Sequence, residues 1–339
     1  MAFSTPSDSL PELEASDVPA EFRREFLEDV ALTDGFCTAT LNDEYQRVVN
    51  MGEYAKRLHK KLASKSAGLP TKEPKRRPGE PLPGGVTDMQ TMIKQGYDPI
   101  HAAYAFIQQL SAHFGEVVSH LPEMKAWPRT VEKAEDEYMP AGPPMSPLTS
   151  SYFWMWALYD FRIGKSADTL ALCQIAANDV ILMNPHQLDA CKKLAASRMG
   201  IYEHVGREGP HVRLRELITD DQFICHCPAG YVGRKGELWY VRLAPPLEPE
   251  LATYWIAMTT PYVLIETSKA DWLDFLKRAM VQFDGPNERT RLHRLLKHGP
   301  ETHYWNEFVF KAYHHHQQDA VFLAGIPDVQ ASLPHAERV

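Results

Sequence analysis

Residues 200–228, GIYEHVGREGPHVRLRELITDDQFICHCP, decide the fold, because from this point apolar residues alternate with polar ones. Alternation with a period of two, in short runs separated by Gly, Pro and Asp, is typical of β-strands buried on one side. Two more such runs follow, ELWYVRLAPP at 237–246 and TYWIAMTTPYVLIE at 253–266. About five strands in so short a stretch predict a compact antiparallel β module, similar to a small barrel, over residues 200–267.

Helical patterns lie on both sides of this β module. Before it, helices are predicted at residues 41–63, at residues 99–119, within the apolar run SYFWMWALYDF at 151–161, and from Pro185 after the capping residue Asn184. After it, Ser268 and Asn287 are N-cap residues of two helices. A last helix is expected over residues 301–318, with His314, His315 and His316 mostly outside its core stripe. The chain is therefore predicted to be an α+β protein, mostly helical, with one small antiparallel β module.

Composition divides the chain into five parts. Residues 66–86, SAGLPTKEPKRRPGEPLPGGV, hold the densest mixture of Pro, Gly and basic residues, which predicts a linker. The predicted parts are an acidic tail with an N-terminal helical region (1–65), the linker (66–86), a helical unit (87–199), the β module (200–267), and C-terminal helices with a tail (268–339).

The formal net charge of the 339-residue chain is -8, so any contact with nucleic acid or anionic lipid needs a local basic patch. No run approaches the roughly 18 apolar residues of a membrane helix, and the N-terminus lacks the features of a signal peptide. Five cysteines without an export signal indicate reduced thiols. These observations predict a soluble cytoplasmic protein that does not associate with a membrane.

The group Cys225-His226-Cys227 raises the possibility of a zinc site. Zinc needs three or four converging ligands, and the usual sequence sign, a CxxC pair, is absent. On a strand, alternation sends the two sulfur atoms to one face and the imidazole to the other, so the cysteines are interpreted as packed apolar side chains. The alternative that stays open is a metal site in which one sulfur joins His204 and His211. No resident metal or cofactor is predicted.

No sequence pattern identifies a catalytic centre. The chain contains no GxSxG, no GxGxxG and no GxxxxGK[ST]. Asp160 lies in an apolar helix, where a buried carboxylate needs a partner, so an ion pair is favoured over a catalytic role. The remaining enzymatic hypothesis is a hydrolase with a metal or thiol centre near the β module, with Cys225, Cys227 and Asp160 as candidate catalytic residues.

Basic residues indicate a binding surface. They lie on the predicted helix ERTRLHRLLKH at 288–298 and in the β module, and the candidate binding residues are Arg289, Arg291, Arg294, Lys297, Arg213, Arg215 and Arg242. Small barrels with aromatic side chains and basic rims can bind single strands. We therefore expect a non-enzymatic binding or regulatory protein that acts through protein partners, with nucleic acid as a second class of partner. The apolar helix faces are also compatible with a homo-oligomer.

Two parts of the chain resemble uncharacterised bacterial proteins. FCTATLNDEYQ at 36–46 resembles the start of a small helical domain that begins with Phe-Cys and continues with Leu-Asn-x-Glu-Tyr. The segment from FWMWALYDFR through LAASRMGIYEH to ELWYVRLAPP resembles the middle region of proteins that sometimes carry a cysteine-rich zinc tail, which this chain lacks. The resemblance implies a bacterial cytoplasmic origin and no catalytic residues.

Overall fold

A computed structural model describes residues 86–119, 126–142, 146–162, 169–176 and 185–333. The helices that precede the sheet are α1 (Met89–Lys94), α2 (Pro99–Ser119), α3 (Ala126–Tyr138), α4 (Ser150–Tyr159), α5 (Leu170–Ala176) and α6 (Pro185–Ala196). The helix predicted at 99–119 is confirmed as α2. The helix predicted at 41–63, and the predicted linker up to residue 85, lie outside the described residues.

Helix α4 lies at the centre of the helical part because it is apolar on all sides. Phe153, Met155 and Leu158 are buried in different directions around it. Thr149 caps the helix, since its hydroxyl accepts a hydrogen bond from the backbone N–H of Tyr152 at 3.3 Å. Asp160 follows directly at the other end, so this helix carries a carboxylate into the protein interior.

The sheet has eight strands, with β1 (Met199–Glu208), β2 (His211–Glu216), β3 (Gln222–His226), β4 (Leu238–Ala244), β5 (Trp255–Ala257), β6 (Tyr262–Ile265), β7 (Tyr313–His316) and β8 (Val321–Ala324). Their order is β1-β2-β3-β5-β4-β6-β8-β7, and β1 also pairs with β4. Strands β1 to β5 therefore close into a barrel, in which β3 and β5 run parallel and the other neighbours antiparallel. The predicted small barrel of about five strands is confirmed. The prediction that it is antiparallel throughout is wrong, because the closure of the barrel places β5 parallel to β3.

Strand β1 closes the barrel because it is long enough to pair on both sides. Met199 to Glu203 pair with β4, and Tyr202 to Glu208 pair with β2. A register shift between His204 and Gly206 marks a bulge, which increases the local twist of a strand. The barrel interior is an apolar cluster of its own, formed by Tyr202, Val212, Leu214, Phe223, Cys225, Cys227, Trp239, Val241, Leu243, Trp255, Ala257, Val263 and Ala320.

Three helices follow the barrel, α7 (Lys269–Met280), α8 (Glu288–His298) and α9 (Tyr304–Ala312), and a 3-10 turn at Gln330–Ser332 follows β8. Ser268 and Asp271 form a reciprocal capping box at the start of α7. The Asn287 side chain accepts a hydrogen bond from the Thr290 N–H at 2.8 Å at the start of α8. The N-caps predicted at Ser268 and Asn287 are therefore present, whereas the one predicted at Asn184 lies outside the described residues.

Strands β7 and β8 correct the prediction of a last helix over residues 301–318. Helix α9 ends at Ala312, and the next residues form β7, which pairs antiparallel with the apolar strand β8. Strand β8 in turn lies parallel to β6. Tyr and His have only modest helix propensity, so pairing with β8 decides the conformation of residues 313–316.

The described part of the chain is 44% helix and 21% strand. An α+β class is therefore confirmed, whereas the expected helical majority is not. Strand β4 is buried along its whole length, with its inner side in the barrel and its outer side against the helices. Among the described helices, none combines the length and the apolar character that crossing a bilayer requires.

Candidate functional site

The outer surface of strands β2 and β3 carries polar side chains. Val212, Leu214, Phe223 and Cys225 fill the barrel interior, so their neighbours along each strand lie on the outside. In the register, Arg213 stands opposite Ile224 and Arg215 opposite Gln222. We call this surface the β2–β3 face; it contains His211, Arg213, Arg215, Gln222, Ile224 and His226.

An aromatic platform forms one end of the β2–β3 face. Tyr254, from the loop between β4 and β5, stacks on His211 with the ring centroids 3.9 Å apart and the planes at 22°. The His226 ring meets the His211 ring edge-on at 5.8 Å. His211 is buried by these contacts, whereas Tyr254 and His226 stay half-buried. The platform therefore keeps part of its aromatic surface open to a flat ligand.

Arg213 is the exposed cation of this face. Its Nη2 donates a hydrogen bond to Gln222 Oε1 at 3.4 Å, and it forms no ion pair with any residue that the structure describes. The Arg215 guanidinium, by contrast, lies 2.7 Å from Glu203 Oε2, which also accepts a hydrogen bond from Lys269 at 2.6 Å. Arg213 can therefore meet an anion without first breaking an ion pair.

Burial lowers the pKa of both histidines of the platform. For His211, the carboxylates of Glu208 and Asp98 partly oppose this effect. For His226, the neighbouring His211 lowers the pKa further and His101 adds to this, while Asp98 acts in the opposite direction. Both imidazoles are therefore neutral at pH 7, where they can stack on a ligand and exchange hydrogen bonds with it.

Strand alternation separates the members of the Cys-His-Cys group. Cys225 and Cys227 lie in the barrel interior, and His226 lies on the β2–β3 face. Burial raises the pKa of the Cys225 thiol, and it raises the pKa of Cys227 to about 11. Both sulfur atoms therefore keep their protons near neutral pH, which makes them poor nucleophiles and poor metal ligands.

The alternative metal ligands do not come together. His204 packs against Trp239 with the ring centroids 5.6 Å apart, and its Nε2 lies 3.0 Å from the Val232 carbonyl oxygen. His211 lies instead on the outside, under Tyr254. In the five described segments, no three His, Cys, Asp or Glu side chains converge closely enough to hold a metal ion.

Asp160 belongs to a buried ion-pair network that we call the Asp160 network. Its carboxylate accepts hydrogen bonds from Arg242 Nη2 and from Lys297 Nζ, the latter at 3.0 Å. Both cations also donate to the Ser197 carbonyl oxygen, at 3.0 and 2.8 Å respectively. All three charged side chains are at most 3% exposed. The network ties α4, α8, β4 and the turn before β1 together, which is a structural role.

Helix α8 does not present its basic residues as one surface. Arg294 and Lys297 are buried. Arg289 is exposed but forms a two-point ion pair with Asp221, with N–O distances of 2.5 and 3.1 Å. Arg291 lines a groove between α7 and α8. The binding surface predicted along this helix is therefore divided between the interior, an ion pair and a groove.

The seven predicted binding residues thus separate into three groups. Arg289, in its ion pair, and Arg291, in the groove, stay at the surface of α8. Arg213 and Arg215 lie together on the β2–β3 face with His226. Arg242, Arg294 and Lys297 are buried beneath the helices, so in this conformation they do not contribute to a surface.

The groove between α7 and α8 has a volume of about 540 Å³ and is open to solvent. It is lined by Lys277, Met280, Val281, Phe283, Asp284, Gly285, Glu288 and Arg291. Val281 is 83% exposed, which is unusual for a large apolar side chain. The two cations of the lining are balanced by two carboxylates, so the groove does not favour a ligand of either charge.

Tyr254 is the residue that sequence reasoning missed. It ends the loop PPLEPELATY at 245–254, directly before β5. An aromatic residue at the end of a polar loop is a signal, but periodicity does not tell which strand such a ring will meet. Only the closure of the barrel brings it onto His211.

No protein-family model, no curated protein and no solved structure matches this chain. The functional argument therefore depends on the geometry of the chain itself, and above all on the β2–β3 face.

Proposed function

We propose that this protein is a non-enzymatic binding protein whose β2–β3 face binds single-stranded nucleic acid. The observation that carries the proposal is the stacked pair His211–Tyr254, which lies with His226 on the same face of a closed barrel as the exposed Arg213. Aromatic rings beside a cation are the means by which sequence-tolerant single-strand binding is usually achieved.

The topology of the barrel supports the same ligand. OB-type barrels have five strands and bind oligonucleotides or oligosaccharides on the face of their second and third strands and on the loops after the first and fourth strands. The barrel here closes in the order β1-β2-β3-β5-β4-β1, which is the OB order. His211 begins the second strand directly after the β1–β2 turn, and Tyr254 comes from the loop after β4. The platform therefore stands where both ligand-binding loops of such a barrel meet the second strand.

The chemistry of the face divides the ligand into two parts. A base stacks on the open surface of Tyr254 and His226, with Ile224 as an apolar neighbour, and a phosphate meets Arg213. Since the whole chain carries a net charge of -8, binding depends on this local patch and is sensitive to salt. An oligosaccharide would use the platform but would not need Arg213, and this difference can be tested.

Two other functions have less support. A thiol or metal hydrolase near the barrel would need reactive sulfurs or converging ligands, but Cys225 and Cys227 are buried and protonated. The groove between α7 and α8 offers Val281 to a protein partner, yet its balanced charges give no chemistry that selects one.

The proposal is tested by fluorescence anisotropy with a labelled single-stranded homopolymer at low salt. Tyr254→Ala removes the platform, and stacking contributes about 1–3 kcal/mol per base, so affinity should fall by about five- to 150-fold. Arg213→Gln should weaken binding and reduce the slope of log K against log salt by about 0.7, which is the loss of one phosphate contact. A duplex of the same length should bind less tightly than the single strand.

Arg129→Gln is the matched control, because it removes an exposed arginine from helix α3 instead of from the barrel. It should leave affinity and salt slope unchanged. The assignment is refuted if the single strand binds the wild type, Tyr254→Ala and Arg213→Gln equally well. It is also refuted if the single strand binds none of the three. A loss in Tyr254→Ala without any change in Arg213→Gln would remove Arg213 from the binding site and leave only the stacking platform in it.

A further inference from the structure

The start of helix α2 stands beside the aromatic platform of the β2–β3 face. The charge of Asp98, the residue before α2, acts on both His211 and His226, and the charge of His101 acts on His226. Asp98 and His101 are exposed. The helical part of the chain therefore places a carboxylate next to the surface on which a base would stack.

Asp98 is held in place by the helix that it caps. Its Oδ1 accepts hydrogen bonds from the backbone N–H groups of Ile100 at 3.0 Å and of His101 at 3.4 Å. Within the described part of the chain, Oδ2 accepts no hydrogen bond and Asp98 forms no ion pair. The cap thus fixes the position of the carboxylate and leaves one of its oxygens for a ligand.

His211 also lacks a partner at this place. It is only 8% exposed, yet its Nδ1 has no hydrogen-bond partner among the residues that the structure describes. Buried polar atoms are nearly always satisfied, so an unpaired one needs an explanation. A polar ligand that reaches the platform from the side of Asp98 provides one.

We propose that Asp98 makes the single-strand site prefer guanine, an inference that rests on the proposed function. A carboxylate can only accept hydrogen bonds. Guanine has two neighbouring donors, N1–H and N2–H, on its Watson–Crick edge, whereas each donor of the other three bases lies next to an acceptor. An acceptor at the edge of the platform therefore favours guanine over adenine, cytosine and thymine.

The charges of the face orient the ligand in the same way. Asp98 repels a phosphate, and Arg213 attracts one. Arg213 follows His211 by two residues, which is about 7 Å along the strand. The backbone of the nucleic acid should therefore run on the side of Arg213, with the edge of the stacked base toward Asp98.

The base preference is measured with the full-length chain and labelled strands of about eight nucleotides, a length that one OB-type barrel covers. The strands contain thymine throughout, except for one central position that carries guanine, adenine, cytosine or thymine. A carboxylate or amide that reads a base edge discriminates at least about fivefold. The guanine strand should therefore bind at least about fivefold more tightly than the other three.

Asp98→Asn tests the role of the carboxylate, because asparagine keeps the N-cap but replaces an acceptor-only group by an amide. It should abolish the guanine preference without weakening the binding of the thymine strand. Asp88→Asn is the matched control. Asp88 is also exposed and caps α1, where its Oδ1 accepts a hydrogen bond from the Thr91 N–H at 2.8 Å, and this variant should keep the preference.

The position of Asp98 is tested in the free protein. The carboxylate of Asp98 acts to raise the pKa of His211 and of His226. Asp98→Asn should therefore lower the pKa of both imidazoles in an NMR titration, whereas Asp88→Asn should not. If neither pKa changes in Asp98→Asn, Asp98 does not border the platform and the inference is overturned.

The binding data separate this inference from the proposed function. Equal affinity for the four strands, or a guanine preference that Asp98→Asn retains, overturns the inference. The proposed function still stands in that case if Tyr254→Ala weakens binding, whereas both fail if no strand binds. The same strands made as RNA, with uracil for thymine, test the 2′-hydroxyl. A preference for RNA that is equal for every base would assign Asp98 to the ribose and likewise overturn the inference.

Discussion

Replacing Asp160 by Asn should destabilise the protein strongly, although the two side chains have almost the same shape. The substitution leaves an oxygen that can accept a hydrogen bond but removes the one carboxylate of the Asp160 network. At an effective dielectric constant of about 20, unit charges separated by the 3.0 Å between Lys297 Nζ and the carboxylate attract by about 5.5 kcal/mol. Losing one partner of a buried ion pair typically costs about 3–5 kcal/mol, because the other charge stays buried.

Asp189→Asn is the matched control for this prediction. Asp189 pairs with Lys193 at 2.9 Å, nearly the same distance, but its side chain is 57% exposed. An exposed i,i+4 pair contributes only about 0.3–0.5 kcal/mol. The same chemical change at nearly the same distance should therefore lower the free energy of unfolding by very different amounts in the two variants. The difference between them measures how much burial increases the cost of losing the carboxylate.

Urea unfolding at pH 7.5 measures both variants. With a slope of about 3 kcal/mol per molar urea, Asp160→Asn should lower the midpoint by about 1–1.7 M and Asp189→Asn by less than about 0.2 M. Adding Lys297→Met to Asp160→Asn should recover part of the loss, because it removes a buried cation while Arg242 still donates to the Ser197 carbonyl. If the two single variants differ by less than about 1 kcal/mol, the network does not stabilise the fold as argued.

Two more predictions concern acid stability and a close backbone contact. His293 is buried and His298 is half-buried, and desolvation followed by nearby cations (first Arg198 for His293, Arg162 for His298) holds their pKa well below the ordinary value. The unfolded state then binds more protons below about pH 6.5, so the free energy of unfolding should be at its full value above that pH and should fall below it by up to about 2.7 kcal/mol per pH unit. A flat profile of urea stability from pH 7 to pH 5 would contradict this. Gly325 and Gly230 both have a φ of +86°, but a Cβ at Gly325 would lie 2.4 Å from a backbone oxygen, whereas a Cβ at Gly230 would have no atom within 4 Å. Gly325→Ala should therefore destabilise the protein clearly more than Gly230→Ala, which has only the left-handed backbone strain of about 1–3 kcal/mol. Equal melting temperatures of the two variants would rule out the contact.

Sequence periodicity was sufficient wherever neighbours along the chain determine the structure. Alternation over residues 200–228 predicted the barrel, and it also predicted that Cys225 and Cys227 would separate from His226. Ser268 and Asn287 are N-caps because their partners lie three residues away. Such short-range patterns contain all the information that the local conformation needs.

Periodicity failed where a distant segment decides the conformation. Tyr313 continues the apolar stripe of α9, so the helical pattern does not end where the helix ends, at Ala312. Strand β8 offers an edge to pair with, and the gain from that pairing exceeds the weak helix preference of Tyr and His. Tyr254 shows the same limit, because its contact with His211 depends on how the barrel closes.

The basic residues of α8 show why charge on a helix is an ambiguous signal. Helical spacing correctly identifies Leu292, Leu295 and Leu296 as buried. Lys297 is expected on the solvent side, because burying an unpaired ammonium group costs too much free energy. The carboxylate that makes burial possible belongs to Asp160, 137 residues earlier in the chain. The sequence contained both halves of this pair, since Asp160 in an apolar helix calls for a buried cation. A carboxylate without a local partner and a lysine between buried leucines should therefore be considered together before a basic helix is interpreted as a binding surface.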